Sequence, residues 1–117
     1  MSRDCSFVFY FNRRRQWVDV YLWDVHPNTF ERWDAGRWGY YHAIREHGRV
    51  GKFGELHFVA SRVRHDSVAH ELFHLFCDIL FTRKQAVTER NEEQLAIVFD
   101  ELTRNFWREY EKIKKPR

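Results

Sequence analysis

The feature of the sequence that most constrains the fold is a change in the spacing of apolar residues near residue 60. Before it, apolar and polar side chains alternate in short runs, as in QWVDVYLW at 16–23, the spacing of a strand with one buried face. After it, apolar residues recur about every 3.6 positions, and no proline interrupts the chain until Pro116. The sequence therefore predicts strands first and helices last.

Four short strands are predicted in the first part of the chain. The first two are rich in β-branched and aromatic residues and are separated only by NRRR at 12–15, which predicts an antiparallel hairpin. The stretch DVHPNTFERWDAG at 24–36 contains a proline and ends in glycine, so we expect a loop with one helical turn there. The predicted strands are 6–11, 16–23, 37–44 and 55–60.

Two helices are predicted in the second part, joined by a short polar turn. The first has Asp66 or Ser67 as its N-cap and continues to about Phe81. The second begins within 88–91 and continues to about Lys112.

Each predicted helix carries an apolar stripe along one side, which indicates packing against a core. Strands followed by helices, without regular alternation of the two, indicate an α+β fold in which a small antiparallel sheet is covered by two packed helices. The stripe of the first helix consists of Ala69, Leu72, Phe73, Phe76 and Leu80. That of the second consists of Leu95, Val98, Phe99, Leu102, Phe106 and Tyr110.

Composition predicts one globular domain over residues 1–117. Hydrophobic residues make up 44% of the chain and aromatic residues 18%, and no linker rich in serine, glycine or proline divides it. The only cysteines, Cys5 and Cys77, provide no disulfide framework, which favours a reducing compartment. No apolar run is long enough to span a membrane or has the order of a secretory signal. We therefore expect a soluble cytoplasmic protein without a membrane partner.

The densest positive charge is the run Arg13, Arg14 and Arg15. A net charge of +3 is too small to indicate a nucleic-acid partner by itself. With no interleaved aromatic and basic residues around it in the sequence, the run is better explained as a solvated turn between two strands than as a phosphate-binding patch.

The stretch HELFH, at 70–74 on the first helix, is the strongest functional motif. Side chains at positions i and i+4 of a helix have Cβ atoms about 5 to 6 Å apart, so His70 and His74 can direct their ring nitrogens at one metal ion. Glu71 points about 100° away from His70, beside the metal, as suits a base that acts on water. The competing explanation is a pair of partly buried histidines that hydrogen-bond to backbone carbonyls.

A catalytic zinc ion needs a third protein ligand, because such sites use three ligands and an open position. The candidates are Glu89, Glu92 and Glu93, although acidic residues in the first turn of a helix also interact favourably with the helix dipole. A helical wheel favours Glu92, which is in line with Phe99, whereas the small side chain of Ala96 favours Glu93. The pattern alone leaves both open.

The stretch VAHELFH followed by NEEQLA resembles gluzincin metallopeptidases, in which a Glu-x-x-Ala motif supplies the third zinc ligand. It also resembles small HExxH proteins often encoded by phages, over residues 54–102. The resemblance implies a minimal gluzincin-like fold and a zinc ion held by His70, His74 and Glu93, with Glu92 as the alternate. We expect two departures from the larger gluzincins: Glu92 replaces the asparagine before the motif, and the 117 residues leave little length after the second helix for the further helical subdomain of those enzymes.

Under the zinc hypothesis the predicted reaction is hydrolysis of a peptide bond in a peptide or protein substrate, with Glu71 as the general base. Asp100 and Asp78 are candidate partners for the second nitrogen of a ligand histidine, although each can equally be an exposed helical aspartate. The predicted strand ELHFV at 55–59 could present its edge to an extended substrate.

A second class of function stays open from the sequence. The same zinc ion could stabilise a non-catalytic binding or inhibitor protein, since a structural zinc site contributes folding energy directly. His57 and Tyr110 could stabilise an oxyanion, but core or surface positions explain them better. Neither the substrate nor the oligomeric state follows from the sequence.

Overall fold

Among the residues that the structure describes, four strands are followed by two helices, which confirms the predicted order of elements. The computed structural model describes residues 5–24, 37–44 and 50–114, and the predicted loop at 24–36 lies, apart from Asp24, outside them. The strands are β1 (Phe7–Phe11), β2 (Gln16–Trp23), β3 (Gly39–Ala43) and β4 (Gly51–Val59). The helices are α1 (His65–Thr82) and α2 (Glu92–Lys114), and a short 3₁₀ turn, Ala60–Arg62, precedes α1.

The sheet is mixed, so the predicted purely antiparallel sheet is wrong in one pairing. The strand order is β1-β2-β4-β3, in which β1 with β2 and β3 with β4 are antiparallel pairs. Strand β4, however, inserts between β2 and β3 and runs parallel to β2, with Val20 opposite Leu56. Hydrophobic alternation shows which face of a strand is buried but not which strand is its neighbour.

Strand β4 lies in the centre of the sheet. Leu56 and Phe58 are fully buried beneath the helices, and His57, on the opposite face, is only 2% exposed. Because both of its edges are paired, ELHFV cannot receive a substrate strand by edge addition, and that prediction is wrong. The edge strands are β1 and β3.

Both helices pack on one face of the sheet, with α1 near β3 and α2 near β1. Phe106 of α2 is fully buried against the sheet and makes edge-on contacts with Phe7 and Phe9 of β1 and Phe58 of β4. The largest fully buried side chains are Phe9, Phe53, Phe58, Phe106, Leu56, Leu72, Leu75, Ile79 and Leu102, together with His57, Val18 and Val20.

Helix α1 begins slightly earlier than predicted. Its N-cap is Arg64, not Asp66 or Ser67, and the hydroxyl of Ser67 instead accepts a hydrogen bond from the backbone N–H of Arg64. The predicted stripe is also rotated, because Ala69 is exposed and Phe73 is 56% exposed. The buried residues are Val68, Glu71, Leu72, Leu75, Phe76 and Ile79.

Helix α2 confirms its predicted stripe, with Leu95, Leu102, Phe106 and Tyr110 buried. Asn91, just before the helix, accepts a hydrogen bond from Thr88 N–H and donates one to the carbonyl of Ala86, so its side chain orders the turn between the helices. Within the described ranges neither helix is sufficiently long and apolar to traverse a bilayer.

The sheet face opposite the helices carries a chain of polar contacts. His57 accepts from the indole N–H of Trp23 at Nδ1, and its Nε2 lies 2.9 Å from a carboxylate oxygen of Glu55. Lys52 bridges Glu55 and Asp19, the latter at 3.1 Å. The hydrogen bond from His57, assisted by Lys52 and against the effect of burial, lowers the pKa of Glu55 to about 2.

This lowered pKa predicts a loss of stability in acid. The ionised form of Glu55 is favoured in the folded chain, so its contribution is complete above pH 4.5 and is lost as the pH falls toward 2. We expect Glu55→Gln to reduce the free energy of unfolding by about 1 to 2 kcal/mol at pH 7 and by about half of that or less at pH 3. Urea denaturation at both pH values measures the free energy of unfolding of the variant and of the wild type. An equal loss of stability at pH 7 and pH 3 would show that the ionised Glu55 carboxylate is not the source of the effect.

Candidate metal centre

His70 and His74 come together on the outer side of α1. Their Nε2 atoms are 3.3 Å apart, and their rings cross at 75°. Two imidazoles that bind one zinc ion tetrahedrally at 2.0 to 2.1 Å place their nitrogens about 3.3 to 3.4 Å apart. The spacing of four residues on a regular helix has therefore produced the separation that two ligands of one ion need, as the sequence predicts.

Both histidines are exposed to solvent, and His70 lines a cleft with a volume of about 420 Å³. Burial lowers the pKa of His74, and the nearby positive charges of His70 and Arg37 lower it further. A lowered pKa favours the neutral imidazole, which is the form that binds metals. The cleft is lined by Arg37, Trp38, Gly39, Asp66, Ser67, His70 and Glu71.

Glu71 turns from the histidines toward the sheet, and it is only 5% exposed. One carboxylate oxygen is 3.9 Å from Nε2 of His70, and the carboxylate accepts a hydrogen bond from the backbone N–H of Tyr41 in β3. Burial raises the pKa of Glu71 to about 7, although Arg37 and the Tyr41 hydrogen bond act in the opposite direction. Glu71 is thus a shielded carboxylate next to the histidine pair, near the pKa range that suits a general base.

Gly39 provides the space that Glu71 occupies. A Cβ atom at this position would lie 2.8 Å from Cγ of Glu71 and 2.9 Å from the ring of Phe58. Phe58 is fully buried in the core, so little room exists for either neighbour to yield. An isolated glycine in a strand often marks such a close approach, and this is the one sequence signal for the packing behind Glu71.

We therefore expect Gly39→Ala to destabilise the chain by about 1 to 3 kcal/mol, as overpacking does. It should also displace the Glu71 side chain from Tyr41. The melting temperature measures the first effect, and amide hydrogen exchange at Tyr41 measures the second. An unchanged melting temperature with undisturbed exchange would show that the space behind Glu71 is not tightly filled.

The structure does not bring Glu92 or Glu93 to the histidine pair. Both are exposed in the first turn of α2, whereas the ring of Phe99, further along α2, contacts the ring of Phe73, which lies between the two histidines in the sequence. Phe99 follows Glu93 by six residues, which is about 9 Å along the helix axis. Glu89 is exposed in the turn before the helix. Across residues 5–24, 37–44 and 50–114, no cluster of three or more His, Cys, Asp or Glu side chains is arranged to hold a metal ion.

The predicted supporting residues have other partners or positions. Asp78 accepts a hydrogen bond of 2.6 Å from the hydroxyl of Tyr41, and this contact, with burial as the larger cause, raises the pKa of Tyr41. Asp100 is exposed on α2. His57 lies on the opposite face of the sheet and Tyr110 lies in the core, so neither stabilises an oxyanion near His70.

Two residues near the histidine pair are not indicated by any sequence pattern. Arg37, just before β3, places one guanidinium nitrogen 3.3 Å from Nε2 of His70. Tyr41 links β3 to α1 twice, through its N–H to Glu71 and its hydroxyl to Asp78. No local pattern marks either residue, because their roles depend on β3 lying beside α1.

Comparisons of the chain with protein-family models, with curated proteins and with solved structures found no match.

Proposed function

We propose that this protein is a zinc-dependent peptidase in which His70 and His74 bind the metal and Glu71 is the general base. The observation that carries the proposal is the 3.3 Å separation of the two Nε2 atoms, with the Glu71 carboxylate 3.9 Å from that of His70 and with His70 and Glu71 both lining the cleft. A hydrogen-bonded pair of neutral histidines would explain the separation alone. The Glu71 carboxylate adds to such a pair the buried acid that a peptidase would use as its base.

The donor set fits zinc in part. Imidazole is a common zinc ligand, and a catalytic site needs a third protein donor while leaving one position open. We propose Glu93 for that third donor, with Glu92 as the alternate, on the resemblance of NEEQLA to the gluzincin motif alone, since the structure leaves both residues away from the histidine pair. Both side chains are exposed, and carboxylate oxygens are among the ligands that bind zinc.

Within this proposal, zinc would supply a Lewis acid that polarises the scissile carbonyl and makes a water molecule more acidic. Glu71 would accept the proton of the attacking water and transfer it to the leaving amine. The backbone N–H of Tyr41 holds the Glu71 carboxylate in place, and the surrounding core keeps most bulk water away from it. Substrate would enter by the cleft beside Trp38.

A second candidate is a metal-stabilised binding or inhibitor protein. It is favoured by the hydrogen bond from Tyr41 to Glu71, since a carboxylate that satisfies a backbone N–H has a structural role without any catalysis. In that case zinc would stabilise the fold, and Glu71→Gln would leave the protein's function unaltered.

Zinc binding to purified variants tests the proposal. We expect the wild type to bind one equivalent of zinc in equilibrium dialysis and His74→Ala to lose most of this affinity. If Glu93 is the third ligand, Glu93→Ala should lose zinc affinity to a lesser degree than His74→Ala. If Glu92 is the third ligand, Glu92→Ala should show this loss and Glu93→Ala should not. His65→Ala, a change on the same helix whose ring contacts Trp107, is the matched control. A wild type that binds no zinc, or a His74→Ala protein that binds it equally well, would contradict the proposal.

A further inference from the structure

The hairpin between β1 and β2 forms a basic projection on the edge of the sheet. Arg13, Arg14 and Arg15 are all exposed in this turn. Asn12, Arg13 and Arg14 have positive φ angles of 52°, 57° and 65°, a left-handed conformation that non-glycine residues rarely adopt in succession. The turn closes through a hydrogen bond from Arg15 N–H to the carbonyl of Asn12. Three guanidinium groups are thereby held on one tight loop.

Two aromatic rings lie directly beside these arginines. Tyr10 and Trp17 face each other across the hairpin, with ring centroids 5.9 Å apart, and the Arg14 guanidinium lies 4.4 Å from the centre of the Tyr10 ring. Both rings alternate along their strands with the core residues Phe9 and Val18. They therefore belong to the sheet face that the helices do not cover, and both are half-buried.

Among the described residues, no acidic side chain neutralises the charge of these arginines. Within the part of the chain that the structure describes, none of the three forms an ion pair. Lys52, the next basic residue along the same face, is in contrast bound to Asp19 and Glu55. Positive charge without a partner is thus concentrated at the hairpin end of the face.

We propose that this hairpin patch, formed by Tyr10, Arg13, Arg14, Arg15 and Trp17, binds single-stranded nucleic acid. Guanidinium groups attract the phosphate backbone, and a flat aromatic ring stacks on an unpaired base whatever its identity. Here the two kinds of group lie side by side, which the linear sequence does not reveal. A protein ligand with acidic side chains would use the arginines but has no comparable use for the ring pair.

The patch favours single strands over duplexes for the same reason. The bases of a duplex are paired and stacked on each other, so a duplex would offer the patch only its phosphates. The patch is on the opposite face of the sheet from α1 and its histidines, so it does not depend on the proposed zinc site. A measurement of nucleic-acid binding therefore tests the hairpin patch independently of the proposed peptidase activity.

Fluorescence anisotropy with a labelled oligothymidylate of about 10 nucleotides tests the proposal. We expect binding to weaken as salt is raised from about 50 to 200 mM, and Trp17→Leu to weaken it by about 5- to 100-fold. Trp17→Phe should restore most of the affinity, which separates stacking from loss of folding. Arg14→Gln should lower both the affinity and its salt dependence. The control is Arg104→Gln, which removes the same charge at an exposed position of α2 and should alter neither quantity.

Two results would overturn the proposal. One is the absence of any anisotropy change at the lower salt concentration. The other is equal affinity for the oligonucleotide, a duplex of the same length and inorganic polyphosphate, with no effect of Trp17→Leu, which would mean that charge alone is responsible. Circular dichroism of each variant verifies that the hairpin substitutions leave the fold intact.

Discussion

Glu71→Gln is expected to abolish peptide hydrolysis while the protein keeps its zinc. Glutamine has the same shape and can still accept the hydrogen bond from Tyr41, but it cannot take a proton from water. Loss of a general base of this kind reduces the rate by about 10² to 10⁴-fold. Cleavage of a fluorescence-quenched peptide library by zinc-loaded protein, together with zinc content, measures both parts of the prediction.

The same substitution should change how stability depends on pH. The pKa of Glu71 is raised from 4.5 to about 7 in the folded chain, so folding favours the protonated acid, and stability is lost as the pH rises from 4.5 through 7. Glutamine carries no charge at any pH. In metal-free protein at pH 9 we therefore expect Glu71→Gln to be more stable than the wild type by up to about 3 kcal/mol, with little difference at pH 4.

Glu111→Gln, an exposed position near the end of α2, is the matched control and should alter neither activity nor this pH dependence. A Glu71→Gln protein that cleaves peptides at the wild-type rate would exclude Glu71 as the base. If the wild type cleaves nothing but binds zinc, and zinc raises its stability, the metal-stabilised binding protein becomes the better account.

Phe106→Ala is expected to destabilise the chain by about 3 to 5 kcal/mol, the range for a fully buried phenylalanine. Its ring lies within 6.0 Å of the rings of Phe7, Phe9 and Phe58, so it joins α2 to both β1 and β4. Truncation would leave a cavity where three elements meet. Because a small domain has only about 5 to 15 kcal/mol of total stability, a large part of it would be lost.

Urea denaturation compares this variant with Phe81→Ala, whose ring is 83% exposed at the end of α1. The control should change the free energy of unfolding by less than about 0.5 kcal/mol. A loss at Phe106 as small as that at Phe81 would show that α2 is not packed on the sheet in the way described.

The elements were predictable because each depends on local sequence. The alternation in QWVDVYLW and the helical spacing after residue 60 each report which side of a segment is buried, and the observed strands and helices follow them. Neighbour relations were not predictable in this way. Strand β4 pairs with β2 in parallel because the chain passes through β3 at the outer edge first, and no residue in GKFGELHFV encodes that path.

In the candidate site, too, features within one helix were predictable, whereas contacts between elements were not. His70 and His74 are separated by one helical turn, so their convergence follows from the helix alone. The position of Glu93 depends on how α2 is aligned along α1: Phe99 is the α2 ring that contacts Phe73, and Glu93 lies about 9 Å along α2 from Phe99. Arg14 and Tyr10 likewise meet only because the hairpin turn folds back over β1.

X-ray absorption at the zinc edge tests the central claim most directly, because it reports the ligands of the bound ion. For the wild type with one equivalent of zinc, we expect scattering from two imidazole rings at about 2.0 Å, accompanied by oxygen ligands. His74→Ala should lose one of the two rings. A zinc spectrum without imidazole scattering, or one that His74→Ala leaves unchanged, would contradict the account.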